Sequence, residues 1–176
     1  MKWIIVDEDY LTFLRTNGDS RIPLSNYGNE KYKPFFGSLF EENGCYYVTQ
    51  VSHPQPKHDR LKDTLDFKKV FIPDSNKILA VVNLNYMFPV PKSLYRELEY
   101  QDIDKFKDFK SFEERNKYID LLNREIEIIN CMDISHSSLL VYQNKYDNPG
   151  SPLAMRSLDY KDLETLAKAY EIVKED

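Results

Sequence analysis

Phe35-Phe36-Gly37-Ser38-Leu39-Phe40-Glu41-Glu42-Asn43-Gly44-Cys45-Tyr46-Tyr47-Val48-Thr49-Gln50-Val51 reads as two strands folded back on one tight turn. Asn-Gly suits a two-residue hairpin turn, because both central residues must take positive φ and these two do so at low cost. The aromatic and β-branched residues on either side favour a pleated, half-buried surface. Strands over 35–41 and 45–51 therefore anchor the reading.

Upstream, Trp3–Val6 reads as a short strand, and Asp7 is placed to cap a helix carrying Tyr10, Leu11 and Leu14 on one face, with Gly18 past its end. Residues 18–34 are polar and read as loop. Downstream, 52–63 is a second loop held extended by Pro54 and Pro56. A strand over 66–72 and a buried strand over 78–84 flank a turn at Pro73-Asp74-Ser75-Asn76, and 85–91 is a kinked extended segment. The second half changes period. Ser111-x-x-Glu114 fits a capping box for a helix to about Cys131, with Tyr118, Leu121, Leu122, Ile126 and Ile129 apolar. A second helix follows Asp133 and breaks at Asn148-Pro149-Gly150, and a third starts at Asp159. Strands first and helices later predict an α+β domain over residues 1–176.

With 176 residues, 41% apolar and 30% charged, the chain has enough core-forming residues to fold as a globule. The apolar run at 3–6 is far short of the ~20 residues of a membrane span, and no export signal is evident, so a cytoplasmic protein is expected. Cys45 and Cys131 read as two buried free thiols, and three His without paired spacing predict no metal site and no cofactor. A net charge of −5 argues against coating nucleic acid through bulk positive charge. Positive charge is instead local, in Lys57, Arg60, Lys62, Lys68 and Lys69.

Polar residues suited to phosphate gather at the two ends of the hairpin. Lys31-Tyr32-Lys33 enters the first strand, and Ser52-His53-Pro54-Gln55-Pro56-Lys57-His58 leaves the second. In an antiparallel pair the start of one strand lies beside the end of its partner, so Lys33 and Ser52 should be neighbours. Such a group suits RNA cleavage without a metal, which needs proton transfer to and from oxygen and stabilisation of a charged phosphorus centre. His53 or His58 suits the proton transfers, Lys33 and Lys57 can hold phosphate oxygens, and Ser52 can donate a hydrogen bond. Tyr32 can stack on a base, and Lys31, His58, Arg60, Asn83 and Asn85 are candidate RNA contacts.

Lys33-Pro34-Phe35-Phe36-Gly37, then Tyr47, then Ser52-x-Pro54-x-x-Lys57-His58, resembles the ToxN/AbiQ family of endoribonuclease toxins from type III toxin–antitoxin and abortive-infection systems. Asn83-x-Asn85-x-Met87-x-Pro89-Val90 and Leu158-Asp159-x-x-x-Leu163-Glu164 are similar to its later blocks. The resemblance implies a compact, highly curved antiparallel sheet related to the Kid/MazF barrel, with helices mostly from the C-terminal half. It implies metal-independent cleavage leaving a 2′,3′-cyclic phosphate. The implied partner is a repeated RNA pseudoknot, which the toxin processes and which inhibits it in a protein–RNA hetero-oligomer. The family's lysine falls on Lys33 and its Ser/Thr-Ser pair on Ser52 and His53. The chain departs from the pattern at His53, at Gln55 where Lys is common, and at Asn29 where some members have Tyr. Two other readings fit the same residues: a non-catalytic RNA-binding module, and a protein-interaction domain.

Overall fold

The computed structural model describes residues 1–24, 26–27, 30–31 and 33–175, with side chains described for 1–24 and 33–171. The hairpin forms as the sequence predicts: β4 (Phe35–Glu42) and β5 (Cys45–Ser52) pair antiparallel through a turn in which Asn43 has φ 50° and Gly44 φ 84°. A Cβ on Gly37 would lie 2.8 Å from Val48 Cγ1 and 3.0 Å from the Tyr47 carbonyl oxygen. Glycine there lets the two backbones close on each other.

β1 (Lys2–Ile5) joins the far side of β4, and β9 (Arg96–Glu97) joins β1. On its other side β5 is shared. Cys45 to Val48 pair with β8 (Phe88–Pro91), whereas Val51 and Ser52 pair with β7 (Ile78–Asn83), itself paired with β6 (Phe67–Phe71). Thr49 sits where β5 changes partner, and its hydroxyl donates to the Asn83 carbonyl at 2.6 Å. The sheet curves through this change of partner and stays open, running β6-β7-β5-β4-β1-β9 among the described residues.

Helices cover the sheet. α1 (Glu8–Asn17) is capped by Asp7, whose carboxylate accepts from the Asp9 and Tyr10 amides. α3 (Phe112–Asn130) is capped by Ser111, but Glu114 reaches back to the Lys110 amide rather than to Ser111. α4 (Ile134–Asp147) and α6 (Tyr160–Glu175) complete the predicted set. α6 packs on β8 and α1. The Trp3 indole N–H donates to the Leu122 carbonyl at 2.9 Å, which ties α3 to β1.

Several expectations need correction. The stretch read as loop at 18–34 contains a short ladder, β2 (Asn26–Tyr27) with β3 (Glu30–Lys31). The loop at 52–63 contains α2 (Pro56–Arg60), because proline at a first helical position loses no needed donor. The kinked segment at 85–91 ends in a true strand, β8, despite its two prolines. α5 (Pro152–Arg156), capped by Ser151, follows the predicted break. Cys45 is buried, but Cys131, just past the end of α3, is exposed. No helix among the described residues is long and apolar enough to cross a membrane.

Candidate active site

The register of the central hairpin sets Phe35 opposite Gln50 and Phe36 opposite Thr49, which directs Lys33 toward Ser52 as the strand order predicts. Lys33 is only 5% exposed. A lysine is almost never this buried without a counter-charge, and here Glu125 of α3, fully buried, accepts a hydrogen bond from the Lys33 amine. Burial disfavours both charges. It holds Lys33 below its usual range against the pull of Glu125, and it lifts Glu125 above its usual range against the pull of Lys33.

Glu125 lies outside the set predicted from sequence, yet the sequence carries a signal for it. Tyr118, Leu122, Glu125 and Ile129 fall on one helical stripe, and the structure buries Leu122, Glu125 and Ile129 together. A carboxylate inside an apolar stripe requires a partner. The Trp3 anchor at Leu122 fixes the helix one turn before Glu125.

Ser52 is half-buried at the end of β5, and His53 follows it at the surface. His53 sits below its usual pKa, first because its surroundings are partly desolvated, then because the cations Lys33 and Lys107 act on it. The register carries Lys33 toward Ser52, and the charges of Lys33 and of Lys107, a residue outside the predicted set, reach His53. The Tyr118 hydroxyl is pushed up by burial and then by the negative charge of Glu125.

The remaining candidates separate. Lys57 and Arg60 are exposed on α2. His58 is buried, its ring 5.6 Å from that of Phe67, and its Nδ1 accepts from the Gln55 amide at 2.9 Å. That bond closes the N-terminus of α2, so His58 acts as part of a cap. Asn83, half-buried, ends β7. Asn85 is buried, and its carbonyl accepts from the Leu158 amide at 3.2 Å while its side chain reaches the Arg156 carbonyl at 3.5 Å. Both asparagines hold strand ends and the α5–α6 connection. The Lys31 side chain and Tyr32 lie outside the described residues.

The family model for the toxin ToxN of type III toxin–antitoxin systems matches residues 2–168. The chain belongs to the ToxN toxin family. ToxN-type folds match it along nearly its whole length. The structure of AbiQ, a lactococcal anti-phage endoribonuclease of the type III system, superposes with a TM-score of 0.76 at 20% identity, covering 97% of each chain. A structure from work on selective toxin inhibition by a non-coding RNA pseudoknot gives 0.72 at 21% identity, again over 97% of each chain. Another, from work on a processed non-coding RNA that regulates a bacterial antiviral system, gives 0.75 at 17%, over 96% of this chain and 98% of that one. No curated protein matches in sequence. Among ToxN-family features, the fold expected from the sequence is present, with its sheet open rather than closed into a barrel.

Proposed function

We propose that this ToxN-family chain, acting as a single domain over residues 1–176, is an endoribonuclease that cleaves RNA by attack of the 2′-hydroxyl, without a metal. The observation that carries this reading is the grouping of Lys33, Ser52 and His53 at the open end of the hairpin. In the reaction, O2′ bonds to phosphorus, the bond from phosphorus to O5′ breaks, O5′ takes up a proton and leaves as a 5′-hydroxyl, and a 2′,3′-cyclic phosphate remains. Lys33 and Ser52 stabilise the charge on the phosphorane oxygens. His53, held below its usual pKa, is neutral near pH 7 and suits removal of the 2′-hydroxyl proton. His58 suits that role less, because its Nδ1 already accepts from the Gln55 amide. Lys57, exposed on α2, supplies charge to the flanking phosphate. Arg60 extends that charge along α2, with Lys31 and Tyr32 assigned to RNA by position in the sequence.

The fold shared with AbiQ, an endoribonuclease, supports the reaction class. The fold shared with a toxin inhibited by an RNA pseudoknot supports an RNA antitoxin and a protein–RNA assembly in the cytoplasm.

Incubation with RNA in EDTA tests the reading. Cleavage with cyclic-phosphate ends is expected. Binding without cleavage would establish an RNA-binding module instead, and neither binding nor cleavage would point to a protein-interaction domain. Products ending in 3′-hydroxyls would refute the mechanism alone. Lys57→Ala should weaken binding to a non-cleavable 2′-deoxy-substituted RNA. It should also flatten the slope of log affinity against log salt by about 0.7, the value for one phosphate contact on a single strand. His58→Ala should leave that slope unchanged.

A further inference from the structure

Glu125 is the one charged side chain of α3 that is fully buried, and it meets the residue on which the proposed chemistry depends. It projects from a helix fastened to β1 by the Trp3–Leu122 bond, so its position is set by the core and not by the loop it serves. One of its oxygens accepts from Lys33. Among the described residues no donor reaches the other, Oε2, although that atom too is buried. A structural ion pair this dry would be expected to satisfy both oxygens. Apolar residues of similar volume would hold α3 against the sheet at least as well.

We propose that Glu125 is a positioning residue for Lys33: it fixes the amine at the mouth of the site and keeps it protonated for its work on phosphate. This rests on Lys33 acting as a cation in RNA cleavage. The groups facing the pair are Tyr118 on α3 and His53 after β5; Lys107, in the segment before α3, acts on His53 and pairs with Glu114 at 2.7 Å. Tyr118 is held neutral by burial and by Glu125 itself. His53 and Lys107 add positive charge or none. Glu125 is therefore the anion among the described groups that opposes the desolvation of Lys33, and that desolvation drives Lys33 toward the neutral amine. The unpartnered oxygen raises the cost of holding that anion and draws Glu125 toward its protonated form. The two groups compete for one proton, and the amine keeps it because the carboxylate lies against it.

The test is the pH profile of kcat/KM for a labelled RNA containing every dinucleotide step, with wild type, Glu125→Gln and Glu125→Asp compared between about pH 6 and about pH 9. Glutamine keeps the shape and removes the charge. Its alkaline limb should move down by about 1–3 pH units, the usual effect of losing one adjacent counter-charge. At the alkaline end kcat/KM should then fall at least about tenfold, and it should recover as pH is lowered. Aspartate keeps the charge, so its limb should stay near that of wild type while kcat falls through misplacement. Affinity for a 2′-deoxy-substituted RNA at low pH should be unchanged in both. A glutamine profile that differs from wild type only in height would overturn the proposal. Should the glutamine variant fail to fold, the aspartate profile decides: a limb displaced as far as one unit despite the retained charge refutes it. Lys33→Ala separates this outcome from failure of the wider reading, since full cleavage by that variant removes Lys33 from the chemistry altogether.

Discussion

Lys33→Ala is expected to lower kcat/KM for RNA cleavage by about 10²–10³-fold or more, the usual effect of removing one preorganised group that stabilises transition-state charge. The amine is the cation that the fold carries furthest out of water while leaving it at the end of the central hairpin. Charge acts more strongly there than on the exposed Lys57. The same variant has a second signature, a loss of stability. It leaves Glu125 buried without its cation, at a cost of about 3 kcal/mol near pH 7 when one partner of a buried pair is removed. Glu125 is already held above the usual carboxylate range by burial, and it rises further once Lys33 is gone. A carboxyl whose folded pKa lies above its unfolded value contributes stability that is fully present below the unfolded pKa and is lost as pH rises through the folded one. The deficit of the variant should therefore shrink as pH falls from 7 toward about 4.3, the ordinary glutamate value. Urea titrations at the two ends of that window measure it. A deficit that grows on acidification, or cleavage equal to wild type, would defeat the assignment.

Glu164→Leu should cost about 3–5 kcal/mol, the range for breaking a buried charged network, read as a lower urea midpoint at unchanged slope. The Glu164 carboxylate, buried on α6, accepts from Tyr47 Oη at 2.6 Å, Tyr142 Oη at 3.0 Å and Asn43 Nδ2 at 2.7 Å. One side chain thus joins the turn of the hairpin, the middle of β5, α4 and α6. Leucine fills the volume but leaves the buried Tyr47 and Tyr142 hydroxyls without an acceptor, while Asn43, at the exposed turn, passes to water. Glu164→Gln retains one carbonyl oxygen and should cost much less, about 1–2 kcal/mol. A leucine variant within about 1 kcal/mol of wild type would mean that packing, rather than this network, holds the helices to the sheet.

The hairpin, the two longest helices and the ordering of Lys33 against Ser52 could be read from sequence because each rests on local rules. These are positive φ at Asn43-Gly44, helical period with a capping serine, and antiparallel adjacency. β8 was not read as a strand because its two prolines argue against one unless the neighbouring strands are known. Five residues carry too little periodicity to announce α2, and side-chain type alone does not show that His58 caps it. Asn83 and Asn85 fit contacts with RNA by side-chain type, but their carbonyls serve the β5–β7 junction and α6. The roles of Glu125 and Glu164 are hidden in the sequence for a shared reason. Each sits on an apolar stripe, and only the partner across the fold, Lys33 in one case and two tyrosines in the other, explains why a charge is there. Lys107 is exposed among many lysines, so nothing in one dimension distinguishes it.

The prolines of β8 bear on how the protein behaves when it accumulates. Pro89 and Pro91 stand opposite Tyr47 and Cys45 in the ladder, and the Pro89 carbonyl points away from β5, accepting from Tyr10 Oη at 2.7 Å. Residues 89 and 91 share a direction, so the amides they lack are missing from the outward margin of the strand. Another chain that tried to zip onto that margin would find carbonyls without matching donors, and α6 lying across them. The most apolar strand of the sheet is thereby closed to templated growth of fibrils, and a high local concentration of the protein meets no sticky border there.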